Sequence, residues 1–140
     1  MMKYQKWVDS FTKPTMTRNQ KLFACLRELQ KFSYRSEGDG LLSDANWDIS
    51  GAEQMLLRKS YGGMYGNCYL FAASFGYMAN AVGYSDVQVC AYYGHGWVSV
   101  NGVIYDPAKT INRNDMSYFP VSRGRYGEYT TAYRKILNEH

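Results

Sequence analysis

The chain has 140 residues, enough for one domain whose folding buries roughly two-thirds of the unfolded surface. Hydrophobic residues at 46% and charged residues at 20% exclude a disordered chain or a coiled coil. No run approaches the ~18 apolar residues that cross a bilayer, and the first residues lack the apolar stretch of a signal peptide.

The net charge of +4 is unevenly spread. Residues 1–35 hold eight Lys/Arg against Asp9 and Glu28, whereas 37–53 hold Glu37, Asp39, Asp44, Asp48 and Glu53 with no basic residue. The basic residues of 18–35 fall mainly on the polar side of an amphipathic helix. That pattern reads as a solvated face, not a nucleic-acid surface.

In chain order, residues 1–16 read as an N-terminal arm, with Pro14 and little periodicity. Thr17 and Gln20 form a capping box that opens a helix. Leu22, Cys25, Leu26, Leu29 and Phe32 follow on one apolar stripe. Residues 35–49, with Gly38 and Gly40, read as a loop. A second capping box, Ser50-Gly51-Ala52-Glu53, opens a short helix through about Lys59. After Gly62, Gly63 and Gly66, Asn67 caps a helix that Gly83 ends. Its Phe71, Phe75, Met78 and Val82 share a face beside Ala72 and Ala79, the composition of a buried central helix carrying Cys68 on its first turn. Then the period changes to two: Val87, Val89 and Ala91 alternate with Gln88, Cys90 and Tyr92 in a half-buried strand. Asn101-Gly102 between Trp97–Val100 and Val103–Tyr105 is a hairpin signal. Tyr118-Phe119 and Thr130 to Leu137 are candidates for further strands.

A two-residue turn at Asn101-Gly102 pairs Val100 with Val103, Ser99 with Ile104, Val98 with Tyr105 and Trp97 with Asp106. His95 and Trp97 then share the face that carries Asp106, close enough for an imidazole–carboxylate hydrogen bond. A slip of one residue would separate them. Such a carboxylate fixes the tautomer of the ring and stabilises its charged form, and the other ring nitrogen can serve a thiol. Helix N-termini and a nearby imidazolium favour the thiolate state of a cysteine. Of the three cysteines only Cys68 has that setting; Cys25 lies within an apolar stripe and Cys90 on a strand. His140 ends the chain, so the imidazole inside the fold is His95. With no CxxC or HxxxH spacing, a zinc site is not expected. Plainer readings stand beside this one: Cys68 as a small core residue, His95 as a strand entry, Asp106-Pro107 as a turn.

Gly66-Asn67-Cys68 before an Ala- and Phe-rich helix, His95-Gly96-Trp97-Val98 and Tyr105-Asp106-Pro107 together resemble the transglutaminase-like superfamily over about residues 17–110. The resemblance implies a papain-like α+β fold as one domain over residues 1–140, with N-terminal helices and a central Cys-bearing helix packed on an antiparallel sheet. It implies Cys68 as nucleophile, His95 as general base and acid, and Asp106 as the orienting carboxylate. The activity implied is cleavage or transfer at peptide or glutamine amides through a thioester. Tyr34 and Trp47 are candidates for a second oxyanion donor, and Trp97 corresponds to the tryptophan that commonly follows the histidine. The expected partner is a protein or peptide substrate, met by a monomer without cofactor or metal. The small bacterial members it resembles are often exported, which implies an extracellular or cell-surface location. Arylamine N-acetyltransferases share the triad order but are much longer. The competing reading is an inactive module of the same fold that binds peptide or glycan, with the 14 tyrosines lining its groove.

Overall fold

The computed structural model describes residues 2–35, 46–92, 94–121 and 133–136. Its centre is α4 (Cys68–Val82), begun by Asn67, whose side chain accepts the Leu70 amide, and ended by Gly83. Nearly every residue of α4 is buried, and Ala72, Ala73, Gly76 and Ala79 let neighbours approach from several sides. A helix apolar all round belongs in a core. Around it lie α1 (Met2–Phe11), α2 (Arg18–Leu29), α3 (Trp47–Tyr61) and α5 (Pro107–Arg113), together with strands β3 (Val87–Tyr92) and β4 (His95–Val100).

The strands form two sheets. A short parallel pair joins β1 (Ser33–Tyr34) to β2 (Tyr65–Gly66), setting Tyr34 opposite Gly66. The larger sheet is antiparallel, in the order β5–β4–β3–β6, with β5 at Val103–Tyr105 and β6 at Tyr133–Ile136. The fold is therefore mixed α+β. Asn101 and Gly102 both adopt positive φ, at 49° and 80°, the conformation a two-residue hairpin turn needs. Val87, Val89, Val98 and Val100 face the main core beneath α4. Cys90, Trp97 and Ile104 face the other way and pack with Tyr118 and Val121 in a second, smaller cluster.

Four expectations need correction. Residues 2–11 are not an arm but α1, because Tyr4, Trp7, Val8 and Phe11 recur at helical spacing and bury an apolar edge. The Tyr4 hydroxyl donates to the Ala52 carbonyl at 2.8 Å and shares a 3.0 Å hydrogen bond with the Ser74 hydroxyl, tying α1 to α3 and α4. Second, α3 starts at Trp47 with Asn46 as its N-cap, so Ser50 is inside the helix and residues 50–53 are not its N-terminus. The part of the 35–49 loop at 36–45 lies outside the described residues. Third, Asp106-Pro107 opens α5 and is more than a turn: Asp106 caps the helix and Pro107 takes its first position. Fourth, Tyr118 lies in a 3-10 turn (Met116–Tyr118), not a strand. The following Phe119 packs on Phe23, Phe75 and Tyr105, and Val121 bridges to Ile104. Of the proposed strand at 130–137, residues 133–136 are strand, paired with β3, and the rest lies outside the described residues.

No described helix is long and apolar enough to cross a membrane.

Candidate active site

The hairpin register is the expected one for three pairs: Val100 with Val103, Ser99 with Ile104, and Val98 with Tyr105. It stops there. Asp106 leaves the ladder, its N–H donating to the Tyr118 carbonyl at 2.9 Å, so the fourth pair with Trp97 does not form. His95 and Asp106 nevertheless meet, with Nε2 and Oδ2 2.6 Å apart. The other carboxylate oxygen accepts the Lys109 amide at 3.0 Å, and the Asp106 carbonyl accepts the Thr110 hydroxyl at 2.8 Å. One fully buried carboxylate thus caps a helix with one oxygen and orients the imidazole with the other. Proline at the first helical position removes an amide that would otherwise need a partner.

Cys68 approaches the same ring from α4. It is 6% exposed, with Sγ 3.8 Å from the Gly94 carbonyl oxygen. Gly96 makes this approach feasible: a Cβ there would stand 3.0 Å from Tyr69 Cδ1 and 3.4 Å from the Cys68 carbonyl oxygen. Without a side chain at 96, the first turn of α4 packs onto the start of β4. Asp106 occupies Nε2, which leaves Nδ1 for the sulfur. Burial lowers the His95 pKa, but hydrogen bonds to Asp106 and Cys68, and the negative charge of both, reverse this and raise it to about 9. The raised value favours the imidazolium, the state that stabilises a neighbouring thiolate and can later release a proton.

The remaining sequence candidates fall in different places. Tyr34, on β1, stacks on Phe71 with ring centroids 6.4 Å apart. Burial and the charges of Cys68 and Asp106 all push its phenol up, which places it in the electrostatic reach of both. Trp47 is buried and packs against the Tyr69 ring in a T-shaped pair, with centroids 5.6 Å apart. Trp97 is 2% exposed and flanks the imidazole nearly parallel to it, with centroids 6.2 Å apart and an interplanar angle of 21°. Cys25 is buried in the α2 core, where desolvation pushes its thiol up, and Cys90 sits in the small cluster behind the sheet. All three cysteines are free thiols. Tyr69 is the neighbour that sequence reasoning passed over. A tyrosine on the first turn of an apolar helix looks like ordinary core, and nothing in its spacing signals more.

Among the described residues no group of three or more His, Cys, Asp or Glu side chains gathers as a metal site would require. No family model, curated protein or solved structure matches this chain.

Proposed function

We propose that this chain is a thiol-dependent acyl-transfer enzyme with a transglutaminase-like, papain-type core, acting on peptide or glutamine amides. The observation that carries the reading is the single imidazole held between two groups. Asp106 is at 2.6 Å on Nε2, and Cys68, at the N-terminus of the central helix, is its other hydrogen-bonding partner. Each group has a role. The Cys68 thiolate attacks the amide carbonyl and forms a C–S bond. Its own backbone N–H, on a first turn whose amides have no carbonyl partner within the helix, is one donor to the developing oxyanion. The His95 imidazolium passes its proton to the departing amine as the C–N bond breaks, leaving a thioester. The neutral ring then takes a proton from the incoming water or primary amine as it attacks the thioester; the C–S bond breaks, releasing acid or a new amide and restoring the thiolate beside the imidazolium. Asp106 keeps Nε2–H in place throughout, so the working nitrogen remains the one facing sulfur. Tyr34 lies within electrostatic reach of the thiol. The substrate is a protein or peptide presenting the amide, and an extracellular setting is part of the proposal.

The test is incubation with a glutamine-containing peptide and a labelled primary amine, with mass spectrometry of the protein and of the products. Acyl adducts on Cys68, absent from Cys68→Ala, are the expected result. Label in the peptide signifies transamidation, and ammonia or peptide fragments alone signify hydrolysis. An adduct-free Cys68 across peptide and ester substrates would leave the binding-module reading in its place.

A further inference from the structure

A groove of about 1060 Å³ opens between α1 and α3, and no residue of the Cys68–His95–Asp106 site lines it. Its floor is apolar: Trp7 is buried there, beside half-buried Leu56 and Leu57, which is 54% exposed. Three exposed lysines stand around that floor, Lys3 and Lys6 on α1 and Lys59 on α3. Lys3 and Lys6 lie one turn apart on the same helix face, and the Lys59 ammonium is 5.5 Å from the centre of the Trp7 ring. The indole is fixed in place. Its N–H donates to Glu28 at 2.8 Å, and Glu28 is further held by Lys31. Among the described residues none of the three groove lysines has a carboxylate within ion-pair distance. Against them the lining holds one acid, Glu53.

We propose that this groove seats an acidic, amphipathic helical segment of a partner protein. The inference does not depend on the acyl-transfer chemistry above. Length, floor and charge each point to that occupant. The α3 wall runs from Ser50 to Ser60, roughly 15 Å at 1.5 Å per residue, which matches a helix of about three turns. Large apolar side chains one turn apart along such a helix reach the floor of Trp7, Leu56 and Leu57, as amphipathic helices do in apolar grooves. Carboxylates beside them face Lys3, Lys6 and Lys59. Three cations against one acid draw in such a segment and reject a basic one, since like charges brought together are costly. Charges on an open rim are worth little singly, so the apolar floor holds the partner and the lysines select it. A flat anionic bilayer offers the charge but cannot fill a concave floor, which favours the peptide.

The probe is a fluorescein-labelled peptide of three Glu-Glu-Leu-Leu repeats, titrated with the full chain and followed by fluorescence anisotropy. Its controls replace every leucine by alanine or every glutamate by lysine. The acidic leucine peptide should bind saturably, and both controls about tenfold more weakly or worse. The triple variant Lys3→Glu/Lys6→Glu/Lys59→Glu should lose about tenfold for the acidic peptide and gain for the lysine one. Leu57→Asp leaves the lysines in place and should also weaken the acidic peptide about tenfold, through the floor. All four side chains are exposed, so circular dichroism and melting temperature should match wild type. Absence of saturable binding overturns the proposal. Equal affinity for the alanine peptide overturns it as well, since simple charge attraction then explains the result. Unchanged affinity in both variants places binding elsewhere and also overturns it. Vesicles of phosphatidylcholine and phosphatidylserine form the last arm. Retention on them that the triple variant loses, without peptide binding, gives the lysines to a membrane surface and rejects the helical partner.

Discussion

Two helices begin beside one imidazole, and they are capped in different ways. At the start of α4 the cap is Asn67, a neutral side chain whose Oδ1 accepts the Leu70 amide at 3.0 Å. The reactive atom belongs to the next residue, Cys68. At the start of α5 the cap is Asp106, whose two oxygens are divided between the Lys109 amide and His95. In the first helix, stability and chemistry are assigned to neighbouring residues; in the second they are concentrated in one carboxylate. The first arrangement lets each be altered alone. The second couples the local order of α5 to the orientation of the ring.

The largest expected effect tests that coupling. Asp106→Asn retains an oxygen to cap α5 but turns an N–H₂ group toward Nε2. Nε2 must then accept, so the proton moves to Nδ1, the nitrogen that serves sulfur. Turnover should fall by about 10³–10⁴, as in serine triads with the same change, with the folded state retained by circular dichroism. Unchanged turnover would remove Asp106 from the mechanism.

Next comes pH. The His95 pKa is raised from 6.5 to about 9 by Asp106 and Cys68. The profile of kcat/KM should therefore lose its alkaline limb near pH 9, where the ring ceases to be an acid. The same shift bears on stability. Because the folded-state value lies above the unfolded one, the stabilisation is complete below pH 6.5 and is lost as pH rises through about 9. Its size is on the order of 3 kcal/mol, readable from denaturant unfolding at pH 6 and pH 10. In Asp106→Asn the dependence should shrink, since the largest raising influence is gone. An undiminished slope would assign the effect elsewhere.

The smallest effect is the one that most sharpens the comparison. Asn67→Ala and Asp106→Ala each delete a cap, worth about 1 kcal/mol in chemical denaturation, and Asp106→Ala should cost more because it also removes the partner of His95. Asn67→Ala should keep acyl transfer within a few-fold of wild type, whereas Asp106→Ala should lose it. Equal losses of activity would mean that both caps act only by holding their helices.

Much of this site is legible in the chain because it depends on local rules. The Thr17 box forms with both of its bonds, and Asn67 caps as its position suggests. Asn101-Gly102 dictates a register that carries His95 toward Asp106, and the meeting survives although the ladder ends one pair early. Where reasoning from sequence erred, a local signal was outweighed or unseen. Ser50-Gly51-Ala52-Glu53 has the letters of a box, yet packing of Trp47 extends α3 upstream through Asn46, which caps without a side-chain bond. In α1 the spacing of Tyr4, Trp7, Val8 and Phe11 was present, but aromatic residues of modest helix propensity hid it and tertiary burial supplied the order. The setting of the Tyr69 ring depends on Trp47 and Gly96, which lie 22 and 27 positions away, and no window on the sequence contains it.

Trp97 has a use beyond packing. Its indole lies nearly parallel to the His95 ring, with centroids 6.2 Å apart, and is buried in the cluster behind the sheet. An imidazolium at that distance quenches indole emission more than a neutral ring does. Protonation of His95 is therefore expected to change the emission of Trp97, and comparison with Trp97→Phe separates that change from the signals of Trp7 and Trp47.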